Sequence, residues 1–315
     1  MPRCSIIIRC FNEEKHIGRL LSGILEQTES DVEIVLVDSG SIDATLAIAS
    51  RYPVKVLSIK PEDFSFGRSL NVGCAGATGD FLVIVSAHVY PVYNDWLENM
   101  LKPFNDPDVA LVYGKQRGDK TARYSEHQIY KQWFPNGSEV HQKHPFCNNA
   151  NAVVRRSLWK EIPYDEELTG LEDLAWAKSV TVLGKKIVYS AEAEIIHVHE
   201  ESYMQILNRY TREALAFKRI YPDESFGVWD FMKLFSANVM TDYYHSSLDG
   251  RLFANLFSIP AFRLMQFWGT LRGYSESGLV TTQLRRRFYY PDIFGRNKSD
   301  FSDEKDKKRI RYEDN

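Results

Sequence analysis

The 315-residue chain has only four cysteines, Cys4, Cys10, Cys74 and Cys147, and they lack the paired spacing of a zinc site or a disulfide framework. Two of them fall in expected buried strands, which points to reduced thiols and a cytoplasmic setting. No uncharged apolar run approaches the ~20 residues that cross a bilayer, and no amino-terminal signal segment is visible. A soluble protein, or one peripheral to a membrane, is expected. The net charge of −3 gives no global electrostatic support for a nucleic-acid partner. Internal repeats are missing as well. With 44% hydrophobic and 26% charged residues, the composition is that of an ordinary globular protein with room for one large core or two modest ones.

Three apolar runs end abruptly in polar groups. The first is Ser5-Ile6-Ile7-Ile8-Arg9-Cys10-Phe11-Asn12-Glu13-Glu14, the second Ile34-Val35-Leu36-Val37-Asp38-Ser39-Gly40-Ser41, and the third Phe81-Leu82-Val83-Ile84-Val85-Ser86-Ala87-His88. Buried parallel strands that open onto a ligand crevice at their carboxyl ends have this profile. Strand and helix patterns alternate from residue 4 to about 115, which predicts a mainly parallel α/β sheet. Ile17, Leu20, Leu21, Ile24 and Leu25 mark the buried face of a first helix, and a second begins after Ser41 with Asp43 in its first turn. A strand is expected at 54–57, helices at 68–77 and 95–101, and a strand at 110–113. Residues 116–150 read as a long irregular stretch. Short strands are expected at 187–189 and 193–198, and the chain beyond 203 is helical and aromatic-rich.

The quoted strand ends, together with Phe66-Gly67-Arg68-Ser69-Leu70-Asn71, Glu172-Asp173 and His197, resemble glycosyltransferase family 2, and rhamnosyltransferase-like members in particular. The resemblance covers roughly residues 3 to 215 and implies a GT-A-like, Rossmann-like sheet flanked by helices. It further implies a domain over 1–215 (a nucleotide-binding half to about 115 and an acceptor half from 116), a helical extension over 216–302 and a charged, solvated tail over 303–315. The implied activity is inverting transfer of one sugar from a nucleotide donor (UDP, dTDP, GDP or CMP type) to a glycan or lipid-linked acceptor in surface-polysaccharide assembly. Two other readings are a non-catalytic nucleotide-sugar-binding module and a nucleotidyltransferase. The second lacks its Gly-rich basic loop here.

By that resemblance Asp173 is the base, with Glu172 orienting it, and Arg9, Phe11, Glu13 (or Glu14), Asp38, Ser86 and Ala87 line the donor site. Asp38 could instead cap the following helix. Arg68 either reaches the diphosphate or covers a helix surface, and Asn71 contacts sugar or ribose. Asn149, Asn151 and Trp176 are acceptor contacts; Trp133, Phe134 and Asn148 belong to the same polar and aromatic stretch. The family's Asp-x-Asp metal motif is replaced by Ser86-Ala87-His88. His88 and His197 are therefore nominated to hold a divalent ion, manganese or magnesium, although a neutral imidazole suits magnesium poorly. His88 could also act as a cation against the diphosphate. His197 and His199, one residue apart on a strand, should point to opposite faces, with His197 at the site. Leu252, Phe253, Leu256, Phe257, Ile259, Phe262, Leu264, Met265, Phe267 and Trp268, followed by Arg272 and Arg285-Arg286-Arg287, form a surface suited either to the inner face of the plasma membrane, to a second copy of the chain, or to the catalytic core.

Overall fold

A computed structural model describes residues 3–275 and 308–312. Among them, eight strands form one sheet, β1 (Cys4–Cys10), β2 (Val32–Asp38), β3 (Val54–Ser58), β4 (Phe81–Ser86), β5 (Val89–Pro91), β6 (Val109–Gly118), β7 (Asn151–Arg155) and β8 (Lys186–His197), in the order β3-β2-β1-β4-β7-β6-β8-β5. β3, β2, β1 and β4 run parallel; β7 is antiparallel to β4 and β6, β8 is parallel to β6, and β5 is antiparallel to β8. The sheet is thus mainly parallel, as expected, with two reversed strands.

Side-chain alternation sorts each strand between two cores. Ile6, Ile8, Ile34, Leu36, Val83 and Val85 join Leu20 and Ile24 of helix α1 (Ile17–Leu25) on one face. Ile7, Val35, Val37, Leu82 and Ile84 join Leu70 and Cys74 of α3 (Phe66–Gly76) on the other. Between β2 and β3 lies the short α2 (Thr45–Ala49). Also on the second face are Tyr130 of α5 (Tyr124–Trp133), Trp159 of α6 (Arg156–Glu161) and Trp176 of α7 (Glu172–Val182), while α4 (Trp96–Leu101) belongs to the first. All four cysteines are buried and free.

Four helices follow: α8 (Tyr203–Ile220), α9 (Val228–Leu248), α10 (Leu252–Asn255) and α11 (Ser258–Ser275). α11 lies against the backbone of α8, because a Cβ on Gly269 would stand 2.5 Å from the Leu207 carbonyl and one on Gly273 2.6 Å from that of Thr211. Leu168 and Leu174 share one cluster with Ala214, Phe217, Leu234 and Phe267, so these helices pack on the segment leading into α7.

Four expectations need correcting. The boundary at residue 215 falls inside α8, which is continuous. The stretch 116–150 contains α5, whose buried face includes the polar Ser125 and Glu126 beside Ile129 and Tyr130. The two short strands near 187 and 195 are one, β8, whose pairing with β6 shifts register between Gly114 and Gln116. Residues 308–312 of the tail are docked: Ile310 is buried, its N–H donates to the Val92 carbonyl, and Tyr312 Oη donates to the Pro91 carbonyl at 2.6 Å. Arg285 to Arg287 and the expected extension from 276 to 302 lie outside the described residues.

Candidate functional site

The carboxyl ends of β1, β2 and β4 are level, with Cys10 paired to Asp38 and Arg9 to Ser86, so the three polar tips form one rim. The loops beyond them interlock. Asn12, in a left-handed conformation at φ 55°, accepts the Ile42 N–H through Oδ1, and Glu14 accepts the Ala44 N–H at the start of α2. Asp38 is buried and accepts from the Gly40 and Ser41 N–H groups, which fixes the turn after β2. Asp43, and not Asp38, holds the first turn of α2 through the Thr45 N–H and hydroxyl. Phe11 stands 53% exposed at the rim, where an aromatic face is open to a planar ligand. Ser86, the last residue of β4, is half-buried, and Ala87, in the turn to β5, is fully buried.

Glu172 and Asp173 open α7, where the helix dipole favours anions. Leu171 before them is held at φ 55°, a costly conformation for a side-chain-bearing residue, so the surrounding packing over-determines where the pair sits. Asp173 accepts from the Asn149 N–H at 3.0 Å and the Leu174 N–H at 2.8 Å. Glu172 accepts from Arg9 Nη1 at 3.2 Å and from Asn149 Nδ2 at 3.4 Å. Burial, and then the neighbouring Glu172 carboxylate, push the Asp173 carboxyl up to about 7. The Arg9 and Arg212 guanidiniums lie 5.0 and 4.6 Å from the Phe66 ring centroid, so two cations share one aromatic ring beside Glu172. Asn149 Oδ1 is buried without a protein partner beside the acids.

Three imidazoles meet where β4 hands over to β5. Val89 is paired with His197, and the Val198 N–H donates to the His88 carbonyl, which brings the His88 ring to 5.1 Å from that of His197, stacked at 21°. His199 is there too, its Nε2 3.0 Å from His197 Nε2. That differs from the expected opposite orientation because β8 ends at His197, and beyond the last paired residue alternation no longer governs direction. The nitrogen atoms that these three residues can offer all lie within 4.8 Å of one another. Each Nδ1 has an oxygen partner: Glu13 Oε1 for His88 at 2.7 Å, Gln116 Oε1 for His197 at 2.8 Å and Glu126 Oε1 for His199 at 2.7 Å. Burial holds His197 and His199 well below the usual imidazole range, so both rings are neutral near pH 7. Burial raises the Glu126 carboxyl, but Arg209 at 3.1 Å opposes this. Gln116 and Glu126 were not singled out from sequence, and His199 was expected to face away; their signal is tertiary, through register and the missed helix α5.

Several nominated residues do other work. Asn71 uses its whole amide inside the protein, donating to the Tyr164 carbonyl and Glu166 and accepting from Trp159 Nε1 and the Tyr164 N–H. It ties α3 to the loop before α7 and has no capacity left for sugar or ribose. Asn151 is fully buried, accepting from Trp96 Nε1 and donating to the Lys115 and Ala193 carbonyls. Trp176 is 2% exposed and donates to the Ile162 carbonyl, so it is core and not a sugar platform. Phe134 is core as well, and Asn148 closes a turn onto Ala150. Arg68 is exposed and stands 3.9 Å from Asp63. Glu13 acts on His88, where a role at the nucleotide was expected.

The glycosyl transferase family 2 model matches residues 5–162. The O-antigen chain rhamnosyltransferase WbaN of Salmonella anatum is 30% identical over 224 residues, 67% of this chain and 70% of the relative. RfbN of Salmonella typhimurium, an O-antigen chain rhamnosyltransferase, is 28% identical over 66% of this chain and 70% of its own length. The mannosyltransferase PcManGT of Pyrobaculum calidifontis, solved with GDP-Man and Mn2+, superposes with a TM-score of 0.58 at 19% identity over 87% of this chain and 84% of that one. The first 349 residues of S. aureus TarS, solved with UDP-GlcNAc, give 0.55 at 17% identity over 87% and 91%. Those structures show the fold, a GT-A-like sheet with added carboxyl-terminal helices. With the matched motifs and the relatives, they lead to one conclusion: the chain is a glycosyltransferase and belongs to glycosyl transferase family 2.

Proposed function

We propose that this enzyme transfers a sugar, with inversion, from a nucleoside-diphosphate donor to a glycan or lipid-linked saccharide in surface-polysaccharide assembly. The observation that carries the reading is the buried Asp173 carboxylate, fixed by two backbone N–H groups and raised to about 7 by burial and Glu172. A base with that affinity for a proton is suited to neutral pH. Asp173 takes the proton of the acceptor hydroxyl as its oxygen bonds to the anomeric carbon. On the opposite face the bond from that carbon to the diphosphate oxygen breaks, and the electron pair leaves with the nucleotide. Glu172, held by Arg9, keeps the base oriented and its proton affinity high. The O-antigen relatives favour a polysaccharide acceptor.

The donor rim comprises Phe11, Asp38 and Ser86, with Arg9 as a cation on the diphosphate side. A manganese ion accompanies GDP-Man in the mannosyltransferase neighbour. The residues here fit such an ion, since imidazoles whose second nitrogens are held by oxygen partners are ready-made metal donors. His88 and His197 would hold it, and when bound it would neutralise charge on the departing diphosphate. Calorimetric titration with nucleotides and nucleotide sugars, with and without manganese, tests the reading. Tight binding of one nucleotide sugar supports it, and no binding of any would overturn it.

The carboxyl-terminal helices support attachment to a membrane surface. Trp229, Phe253 and Phe257 are 87, 91 and 83% exposed, with Lys233 and Arg251 exposed on the same helical stretch. No helix among the described residues is long and apolar enough to cross a membrane.

A further inference from the structure

Asp173, Glu172 and Arg9 account for one side of the crevice, but two bare nitrogens face each other on the other side. Gln116 Oε1 accepts, and so does Glu126 Oε1 when ionised beside Arg209, so the Nδ1 atoms of His197 and His199 carry the protons in those hydrogen bonds. Both Nε2 atoms then present lone pairs, and they stand 3.0 Å apart. Lone pairs at that separation repel unless a cation shares them. Two nitrogens about 2.1 Å from one metal ion, and adjacent around it, are separated by about 3.0–3.4 Å. His88 completes the set: Glu13, an acceptor when ionised, takes its Nδ1 proton, so its Nε2 is likewise free to donate electrons.

We propose that His88, His197 and His199 form one three-imidazole centre that binds a first-row transition-metal dication and discriminates against magnesium, with Glu13, Gln116 and Glu126 as positioning residues. This rests on the transferase reading only for its purpose, because the donor geometry stands without it. Magnesium prefers oxygen ligands and retains water, whereas imidazole favours the later first-row ions, iron through zinc. An Asp-x-Asp motif would cancel part of the ion's charge, but imidazole ligands carry no charge once they bind a metal, so three of them would leave all of it to face an anionic ligand. His199 is anchored accordingly: Glu126 is fixed by Arg209 of α8, and Arg209 in turn by Glu201 at 2.6 Å.

The test is metal binding by the full chain, freed of metal by dialysis against chelator. Cobalt(II) is titrated by calorimetry and by its visible absorption, and magnesium is then added in about thousandfold excess as competitor. One cobalt per chain, with an absorption spectrum of nitrogen ligation that magnesium does not erase, is the expected result. His199→Gln, checked for folding by its thermal melt, should weaken cobalt binding about 10- to 100-fold and alter the spectrum, and Glu126→Gln should weaken it less. No cobalt bound, displacement by magnesium, or unchanged affinity and spectrum in His199→Gln would each overturn the proposal. Nucleotide-sugar binding on the same samples reports separately on the transferase reading: donor binding without a selective metal site sinks the centre alone, and a selective site without donor binding sinks the transferase reading alone.

Discussion

At the residue scale the site is built by removing freedom from a few carboxylates and rings. Asp173 is the clearest case, and its elevated proton affinity fixes a pH dependence. Below about 7 the carboxyl is protonated and, as the proposed base, could not take the acceptor's proton; above it the carboxyl is ionised. Transfer rate should therefore fall about tenfold per pH unit on the acidic side of neutrality, and a rate unchanged across about pH 5 to 8 would contradict the assignment. The linked stability effect has the opposite sense. The folded protein keeps a proton that the unfolded chain gives up at ordinary carboxylate pH, so the stabilisation is present in acid and lost as pH rises through about 7. Asp173→Asn should fold and bind donor but lose transfer by about three orders of magnitude or more, measured as kcat in saturating donor. Asn71 is the converse case. Asn71→Ala should cost about 2–4 kcal/mol in chemical denaturation, because it strands Trp159 Nε1 and the Tyr164 N–H, and should leave donor affinity of the folded enzyme unchanged. The acid pair was nominated through its match to the family's Glu-Asp motif, and its place at a helix start was legible; the roles of Asn71, Asn151 and Trp176 were not, since an amide or an indole in a string does not reveal that tertiary partners have saturated it.

At the scale of elements, what sequence shows is periodicity, and what it hides is register and pairing across distance. β1, β2 and β4 were legible because unbroken apolar runs end at polar tips. α5 was not, because Ser125 and Glu126 sit on its buried face and break the apolar stripe. β8 looked like two strands because its pairing slips at a bulge in mid-strand, and its end at His197 frees His199 to turn toward His197. Arg263 shows the same limit in the helices. It interrupts an apolar stretch, and only the fold reveals its partner, Asp242 of α9, 21 residues earlier, bonded through Nε at 2.8 Å and Nη2 at 2.9 Å, both side chains being buried. Breaking one side of such a pair leaves a charge in apolar surroundings, so Arg263→Met should cost about 3–5 kcal/mol. The double variant Arg263→Met/Asp242→Leu should recover most of that loss in urea unfolding. If the two changes are instead additive, the pair does not couple α9 to α11.

At the scale of the whole molecule, the carboxyl-terminal helices do two things at once. Their inner side continues the core through Leu234, Phe262 and Phe267, while their outer side exposes Trp229, Met232, Met240, Phe253, Phe257 and Trp268. A soluble protein gains nothing by leaving so many large apolar groups in water, and the stability of the fold does not require them. An anionic lipid surface suits both the aromatic rings and the nearby Lys233 and Arg251, and it would bring the crevice to a lipid-linked acceptor. Burying an aromatic side chain of this size is worth about 1.5–3 kcal/mol, so three acting together suffice for reversible attachment without a spanning helix. The full chain should float with phosphatidylglycerol vesicles in a density gradient. The triple variant Trp229→Ser/Phe253→Ser/Phe257→Ser should remain in the bottom fraction with an unchanged melting temperature, because the removed side chains contribute little to the core. Wild-type protein that stays at the bottom with the vesicles above it, or that buries this face in a concentration-dependent dimer lost in the triple variant, would exclude the membrane role.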